Sequence, residues 1–201
     1  MFQLLDIAKD FLRQANIPEN GTLADFTMGN GHDTLYLASL VPQGKVYAFD
    51  IQSEALENTR ARLREAGISN ATLILDSHAN ALQYIHAPID AGMFNLGYRP
   101  GGDKSVHTMH ESTLKAVTDA VTLLKPGGIL VISVYPGHAE GHTEGDLLLE
   151  MLASYDKKLF CVTHFHLVNS PDAPFVIAVE KYDKPENAPN GTFAGQNEPK
   201  G

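Results

Sequence analysis

Residues 25–33 of the chain read Asp-Phe-Thr-Met-Gly-Asn-Gly-His-Asp, and this stretch is the most informative in the sequence. Residues 22–26 predict a strand before it, and a helical pattern follows it. Small residues at a strand-to-helix turn let the backbone bend sharply and approach a ligand, and the helix start presents unpaired N–H groups. A tight turn also needs glycine for purely structural reasons, so Gly29, Asn30 and Gly31 alone do not establish a ligand site.

Apolar runs and helical periods alternate along the rest of the chain, which predicts an α/β fold with a parallel sheet. Strands are predicted at 22–26, 46–50, 71–75, 91–95 and 129–135, with helices over 4–12, 54–66, 108–124 and 146–155. We expect Ser53 to cap the second of these helices and Gly67 to end it. Residues 126–128 predict a turn, and residues 160–168 and 175–180 predict a closing antiparallel pair. The predicted domain is 1–182, followed by a mobile tail at 183–201 that is rich in Pro, Asn and Gly.

Composition narrows the class of protein. The chain has 201 residues, of which 43% are hydrophobic and 19% charged, as in one ordinary globular domain. Its single cysteine, Cys161, fits a reducing compartment. No signal peptide and no apolar run of membrane-spanning length is visible, so we expect a cytoplasmic protein without membrane contact. The net charge of −9 argues against broad nucleic-acid binding, although it allows a small basic site.

Polar residues after the second and third strands suggest a nucleoside site. Asp50 ends the second strand, where a carboxylate accepts hydrogen bonds from both ribose hydroxyls of a nucleoside; a solvated strand end is the alternative. The dinucleotide motif has a third glycine that is missing here, which disfavours NAD. Residues 75–78, Leu-Asp-Ser-His, follow the third strand, and their side chains, Ser77 and His78 among them, could flank an adenine edge; a polar loop is the alternative. Gln52 could reach the same adenosine, with a surface side chain as the alternative.

Residues 124–130, Leu-Lys-Pro-Gly-Gly-Ile-Leu, form a typical entry to the fifth strand of S-adenosylmethionine-dependent methyltransferases. Together with the glycine turn, Asp50 and the order of elements, they make the chain resemble the class I methyltransferase family along nearly its whole length. The resemblance implies a Rossmann-like, seven-stranded, mostly parallel sheet with helices on both faces and an antiparallel closing strand. It also implies S-adenosylmethionine as cofactor and S-adenosylhomocysteine as product.

The predicted reaction site follows the fourth strand, because ligands of open α/β sheets lie beyond the carboxyl ends of the strands. The spacing of Asn95 and Tyr98 is similar to the Asn-Pro-Pro-Tyr motif of amino methyltransferases. In that motif the amide oxygen and a backbone carbonyl accept hydrogen bonds from the target amine. Leu96 and Gly97 replace the two prolines here, and a strand-ending turn with Tyr98 packed on the core is the alternative.

A longer set of segments, 28–34, 48–52, 77–78, 94–104, 135–138 and 174–175, resembles one small bacterial family. This family was first labelled as rRNA methylases and is now associated with the MnmM tRNA wobble-uridine methyltransferases. The resemblance runs from about residue 23 to residue 181. It implies methylation of the 5-aminomethyl group of uridine 34, often 2-thiolated, with the tRNA anticodon loop as partner. It further implies cofactor contacts from Asn30, Asp50, Gln52, Ser77 and His78.

The corresponding hypothesis assigns each reaction-site residue a role. Asn95 and the Leu96 backbone orient the neutral amine, whose proton leaves to water or to Asp103. Tyr98 stacks on the flipped-out base, as aromatic side chains do in readers of single-stranded RNA. Lys104 and Arg99 hold phosphate. This sequence departs from the family in having Arg99 within the loop and no Pro-Pro pair at 170–174, which affects the RNA contacts.

Neither a metal site nor a second RNA-binding patch is predicted from the remaining polar residues. The histidine pairs fall in different loops and strands without a Cys pair, so no metal site is predicted. The arginines at 60, 62 and 64 are interpreted as a solvated helix face rather than an RNA patch. The remaining function classes are a methyltransferase acting on rRNA or a small amine, and a binding module without catalysis. A homodimer is left open.

Overall fold

The computed structural model describes residues 4–97, 110–136, 139–170 and 172–183. Four of the predicted site residues lie outside these ranges: Tyr98, Arg99, Asp103 and Lys104. The predicted tail, from residue 184 onward, also lies outside them.

The described residues form five α helices, seven strands and one 3₁₀ helix. In chain order these are α1 (Leu4–Gln14), β1 (Thr22–Asp25), α2 (His32–Leu40), β2 (Lys45–Asp50), α3 (Ser53–Glu65), β3 (Ala71–Leu75), the 3₁₀ helix (His78–Gln83), β4 (Ile89–Leu96), α4 (His110–Leu123), β5 (Leu124–Val134), α5 (Ala139–Ala153), β6 (Phe160–Phe165) and β7 (Phe175–Lys181). Within the described ranges, no helix combines the length and the apolar character needed to cross a membrane.

The seven strands form a single sheet in the order β3-β2-β1-β4-β5-β7-β6. Strands β1 to β5 pair in parallel, and β7 lies antiparallel between β5 and β6. The predicted mostly parallel sheet with an antiparallel closing strand is therefore confirmed. Strand order changes direction between β1 and β4, and such a switch point is where open α/β sheets bind ligands.

Helices cover both faces of this sheet, and each face has its own apolar cluster. One cluster packs the 3₁₀ helix, α4 and α5 against the sheet, and the other packs α1 and α2 on the opposite face. Phe26 lies at the centre of the first cluster, stacked on Phe94 with ring centroids 4.4 Å apart and on Phe49 at 6.0 Å. Phe26 directly follows β1, and Phe49 and Phe94 lie near the carboxyl ends of β2 and β4, so this part of the core lies just beneath the switch point.

Several predicted boundaries are wrong by a few residues. Ser53 does not cap α3, because the helix already includes it and Gln52, with φ −100° and ψ 121°, is the last extended residue before it. Strand β5 begins at Leu124 rather than at residue 129, because Leu124 pairs with Ile89 of β4. The register between β4 and β5 then shifts before the pair Ala91–Ile129. Gly127 has the φ of +77° expected of the predicted turn, but it lies within this irregular strand.

Helix α5 begins at Ala139, several residues before the predicted start. Two glycines weaken the helical pattern of its first half. One of them, Gly145, is required by packing, since a Cβ there would lie 2.9 Å from Cζ of Phe175. By contrast, Gly67 ends α3 as predicted, with φ +69° and its N–H donating to the Arg64 carbonyl at 3.1 Å.

Candidate active site

The glycine turn between β1 and α2 is held in a conformation that only small residues adopt readily. Gly29 has φ +51° and Gly31 has φ +78°, both in the left-handed region. The Gly29 N–H donates to Asp50 Oδ2 at 2.9 Å, and the Gly29 carbonyl accepts from the Thr59 hydroxyl at 3.1 Å. Gly31 precedes α2 without any side-chain cap, so the N–H groups of the helix start are left for a ligand or solvent.

Helix α3 supports the same turn from the side. Arg62 Nε donates to the Asn30 carbonyl at 2.7 Å, and Asn58 Nδ2 donates to Asn30 Oδ1 at 3.2 Å. The arginine helix was interpreted from sequence as a solvated face, and Arg60 fits that view because it pairs with Glu57. Arg62 does not, since it holds a predicted cofactor residue. No signal in the sequence separates Arg62 from its neighbours.

Asp50 lies at the end of β2 and joins the glycine turn to the start of α3. Besides the Gly29 contact, its Oδ1 accepts the Gln52 N–H at 2.9 Å. A carboxylate offers about four acceptor positions, so these two bonds leave capacity for the two ribose hydroxyls expected from the sequence. Gln52 is half-buried beside it, at the position that precedes α3.

Two large apolar side chains are exposed where β2 and β3 end. Ile51 is 55% exposed and Leu75 is 53% exposed, and Leu75 is the strand partner of Asp50. Apolar walls with a few polar groups are typical of small-molecule sites, and this pair is suited to a flat base. Leu75 belongs to the segment predicted to flank an adenine edge, whereas Ile51 was not predicted to contact the cofactor, although a large apolar residue directly after a strand end was the available signal.

The loop after β3 is ordered by Asp76. This carboxylate accepts from Tyr84 Oη at 2.8 Å, from Asn80 Nδ2 at 2.9 Å and from the Ser77 N–H at 2.7 Å. These bonds hold the pKa of Asp76 below its usual value, the Tyr84 hydroxyl contributing most. Ser77 caps the 3₁₀ helix by accepting from the Ala79 N–H at 3.2 Å. Asp76 was not among the predicted site residues.

His78 is placed differently from the other predicted cofactor residues, because it is buried under the turn. Its Nδ1 lies 3.0 Å from the Phe26 carbonyl, and its ring meets Phe94 edge-on at 5.7 Å. Burial lowers the pKa of His78, so the neutral ring with Nδ1–H donating to Phe26 is favoured. The predicted contact between His78 and the cofactor stays a prediction.

Asn95 occupies the carboxyl end of β4, next to the glycine turn. Its backbone N–H donates to the Thr27 hydroxyl oxygen at 2.7 Å, and its Nδ2 donates to Asp33 Oδ2 at 3.1 Å. Asp33 belongs to the first turn of α2 and is only 8% exposed. The structure thus brings the predicted reaction residue into contact with the predicted cofactor motif, which are far apart in sequence.

A second buried carboxylate, Asp25, lies behind this pair. It accepts the Thr27 N–H at 3.1 Å and the Thr34 hydroxyl at 2.6 Å. Burial, and then the charge of Asp33, raise the pKa of Asp25 to about 7. Burial and the charge of Asp33 also raise the pKa of Tyr135. The switch point therefore concentrates acidic groups.

These features fit S-adenosylmethionine. The glycine turn leaves no room for a Cβ at Gly31, Asp50 retains acceptor capacity, and apolar walls stand beside it. The acidic groups at Asp33 and Asp50 complement a sulfonium cation. Among the described residues, no group of three or more His, Cys, Asp or Glu side chains has the arrangement of a metal site.

Together, the fold and the site define a class I, S-adenosylmethionine-dependent methyltransferase. More particularly, residues 46–180 match the family described as "Putative rRNA methylase", and the chain belongs to that family.

One relative and two solved structures show how far the likeness extends. The "tRNA (mnm(5)s(2)U34)-methyltransferase, chloroplastic" of Arabidopsis thaliana is 34% identical over 181 residues, 82% of this chain. The match spans 65% of that relative, slightly less than two thirds of its length. A "putative rRNA-methylase" from Clostridium thermocellum shares 38% identity with a TM-score of 0.86, over 90% of this chain and 98% of that one. A "putative methyltransferase" from Streptococcus mutans in complex with SAH shares 38% identity with a TM-score of 0.82, over 90% and 99%.

Proposed function

We propose that this protein transfers a methyl group from S-adenosylmethionine to the 5-aminomethyl group of uridine 34 in tRNA, 2-thiolated or not. The product is the 5-methylaminomethyl form. The observation that carries the proposal is the fixed amide of Asn95 beside the glycine turn, where an acceptor amine would meet the methyl group. The name of the Arabidopsis relative supports this choice of substrate.

When bound, S-adenosylmethionine supplies an electrophilic methyl group on a sulfonium. The protein contributes mainly positioning, which can account for several orders of magnitude in rate. Gly29, Asn30, Gly31, Asp50, Gln52, Ser77 and His78 are the residues proposed to hold the cofactor. Asn95 would hold the amine by accepting one of its hydrogen bonds.

The Leu96 carbonyl is the second proposed acceptor for the amine. It already accepts the Tyr135 N–H at 3.1 Å. A carbonyl oxygen has two lone pairs, so one remains for the substrate. Two acceptors on consecutive residues of one strand end would fix both the place and the direction of the amine.

Four further roles lie with residues outside the described ranges. Tyr98 is proposed to stack on the uracil, and Arg99 and Lys104 to bind phosphate. Asp103, or water, is proposed to take the amine proton. These roles, and the anticodon loop as partner, follow from the family resemblance. We also propose a cytoplasmic location, which the single cysteine, Cys161, supports because it fits a reducing compartment.

A second candidate function is methylation of rRNA, which the family description favours. A third candidate substrate is a small amine, which is favoured only by the net charge of −9. An acidic protein binds the many phosphates of a large RNA weakly. All three candidates use the same cofactor site, so cofactor binding alone does not separate them.

The deciding experiment is nucleoside mass analysis of tRNA that lacks the final methyl, after incubation with the protein and S-adenosylmethionine. We expect one methyl to be gained on 5-aminomethyluridine. The controls are tRNA with an unmodified uridine 34, ribosomal RNA, and a reaction without cofactor. No gain on the tRNA by protein that binds the cofactor would overturn the proposed substrate, and a gain on ribosomal RNA would identify the alternative.

A further inference from the structure

We propose that Asp33 is a positioning residue for methyl transfer: it fixes the Asn95 amide so that the amide oxygen, and not the nitrogen, is offered to the acceptor amine. This inference rests on the proposed function, because it concerns how Asn95 receives the amine. It concerns a residue that belongs to the glycine motif and has no role yet assigned there.

The geometry holds Asn95 at two points. The backbone N–H is fixed by the Thr27 hydroxyl at 2.7 Å, and the side-chain Nδ2 is fixed by Asp33 Oδ2 at 3.1 Å. Asp33 itself is buried and stands on the first turn of α2. The first contact fixes the backbone of Asn95, and the second restrains rotation of its side chain.

The chemistry of the partner decides which way the amide faces. An ionised carboxylate only accepts hydrogen bonds, whereas an amide has a donor end and an acceptor end. The Asn95 nitrogen therefore faces Asp33, and the amide oxygen makes no hydrogen bond to this carboxylate. A neutral amine in position to react donates through N–H, so it needs that oxygen.

The surroundings favour a charged Asp33. A negative group in the first turn of a helix is stabilised by the helix dipole. Asp25 lies deeper, accepts the Thr27 N–H and the Thr34 hydroxyl, and its pKa is raised partly by the charge of Asp33. Asp25 has these partners of its own, so the contact between Asp33 Oδ2 and the Asn95 nitrogen is left to Asp33 alone.

The first test is Asp33→Asn, which keeps the shape but gives position 33 a donor. The Asn95 amide can then turn its oxygen towards position 33, away from the substrate. We expect kcat for methylation of the undermethylated tRNA to fall about 10- to 100-fold, with the affinity for S-adenosylhomocysteine changed less than about twofold. Asp10→Asn is the matched control, because it removes an exposed carboxylate that pairs with Arg13 on α1.

The second test exchanges the two side chains. The double variant D33N/N95D places the donor at position 33 and the acceptor at position 95, and its second carboxylate oxygen can still receive the amine. We expect D33N/N95D to be at least about tenfold more active than N95D, which sets two carboxylates against each other. A purely structural role for Asp33 predicts instead that the double variant is worse than either single variant.

A third measurement does not need the substrate. In ¹⁵N-labelled protein, the side-chain amide signal of Asn95, identified by its loss in Asn95→Ala, should shift in Asp33→Asn and not in Asp10→Asn. If the wild type fails to methylate the tRNA, the proposed function falls, and this signal still shows whether Asp33 fixes the Asn95 amide. An unchanged signal together with unchanged kcat in Asp33→Asn would overturn it.

Discussion

Gly31 and Thr59 are packed so closely that a Cβ atom on Gly31 would lie 2.6 Å from the Thr59 hydroxyl oxygen. The same hydroxyl donates to the Gly29 carbonyl, so Thr59 both fills the space beside the turn and bonds to it. Thr59 is itself fully buried on α3. The glycine turn is therefore shaped by the helix after β2 as well as by its own sequence.

Replacing Gly31 with alanine should damage both folding and cofactor binding. A φ of +78° costs an L-residue about 1–2 kcal/mol, and the clash with Thr59 adds to that cost. We expect the melting temperature to fall by more than about 4 °C and cofactor affinity to fall with it, as measured by thermal unfolding and calorimetry with S-adenosylhomocysteine.

Gly67 provides the matched control for this variant. Its φ of +69° is similar, but no atom lies within 4 Å of a Cβ placed there. Gly67→Ala should therefore show the backbone cost alone and retain full cofactor affinity. Equal losses of affinity in the two variants would contradict the role of the Gly31–Thr59 contact.

Asp50→Asn should weaken cofactor binding more than it weakens the fold. The N–H groups of Gly29 and Gln52 each bond to one carboxylate oxygen now. The amide has a single acceptor oxygen, so the acceptor positions expected for the ribose hydroxyls are reduced. Hydrogen bonds to charged groups contribute about 1.5–3 kcal/mol, so we expect about a 10- to 100-fold loss in affinity for S-adenosylhomocysteine. Asp119→Asn, which removes a carboxylate that pairs with Lys115 on α4, is the control and should bind normally.

Asn95→Ala should separate catalysis from cofactor binding. The substitution removes the amide but keeps the backbone N–H that donates to Thr27. We expect turnover on the undermethylated tRNA to fall about 100-fold, with calorimetry showing nearly unchanged affinity for the cofactor product. Turnover at the wild-type level would remove Asn95 from the reaction site.

The sequence predicted the α/β order, the parallel sheet and the placement of Asp50 and Asn95 at strand ends. These features follow from local apolar patterning and from the rule that parallel strands end on one side of the sheet. The closing antiparallel pair was visible for the same reason. Helix α5 was predicted too short, because its glycines obscure a helix that packs into the core through Leu148 and Leu152.

The contacts that order the site could not be predicted in this way. Arg62 on Asn30 and Asp33 on Asn95 join residues that are distant in sequence, and their partners are set by how helices pack on the sheet. The burial of His78 likewise depends on the 3₁₀ helix, which has no strong sequence pattern. Periodicity identifies which face of an element is apolar, but it does not identify the partner of a polar side chain.

Asp25 should make the stability of the protein depend on pH between about 4 and 7. Its pKa is raised from 3.8 in the unfolded chain to about 7 in the folded one. In this window the folded protein keeps a proton that the unfolded chain has lost. The stabilisation that this proton gives the folded protein is complete below the unfolded pKa and is lost as pH rises through the folded pKa. The free energy of unfolding falls by up to about 1.4 kcal/mol per pH unit in between.

Urea unfolding from pH 4.5 to 8 of the wild type and of Asp25→Asn checks this. The amide can accept from the Thr27 N–H and donate to the Thr34 hydroxyl, so the variant should fold without the titration. The free energy of unfolding of the wild type relative to Asp25→Asn should fall with pH up to about 7 and then level off. Because the charge of Asp33 contributes to the raised pKa, Asp33→Asn should bring that levelling to a lower pH. Parallel curves for the wild type and Asp25→Asn would mean that Asp25 does not hold the proton.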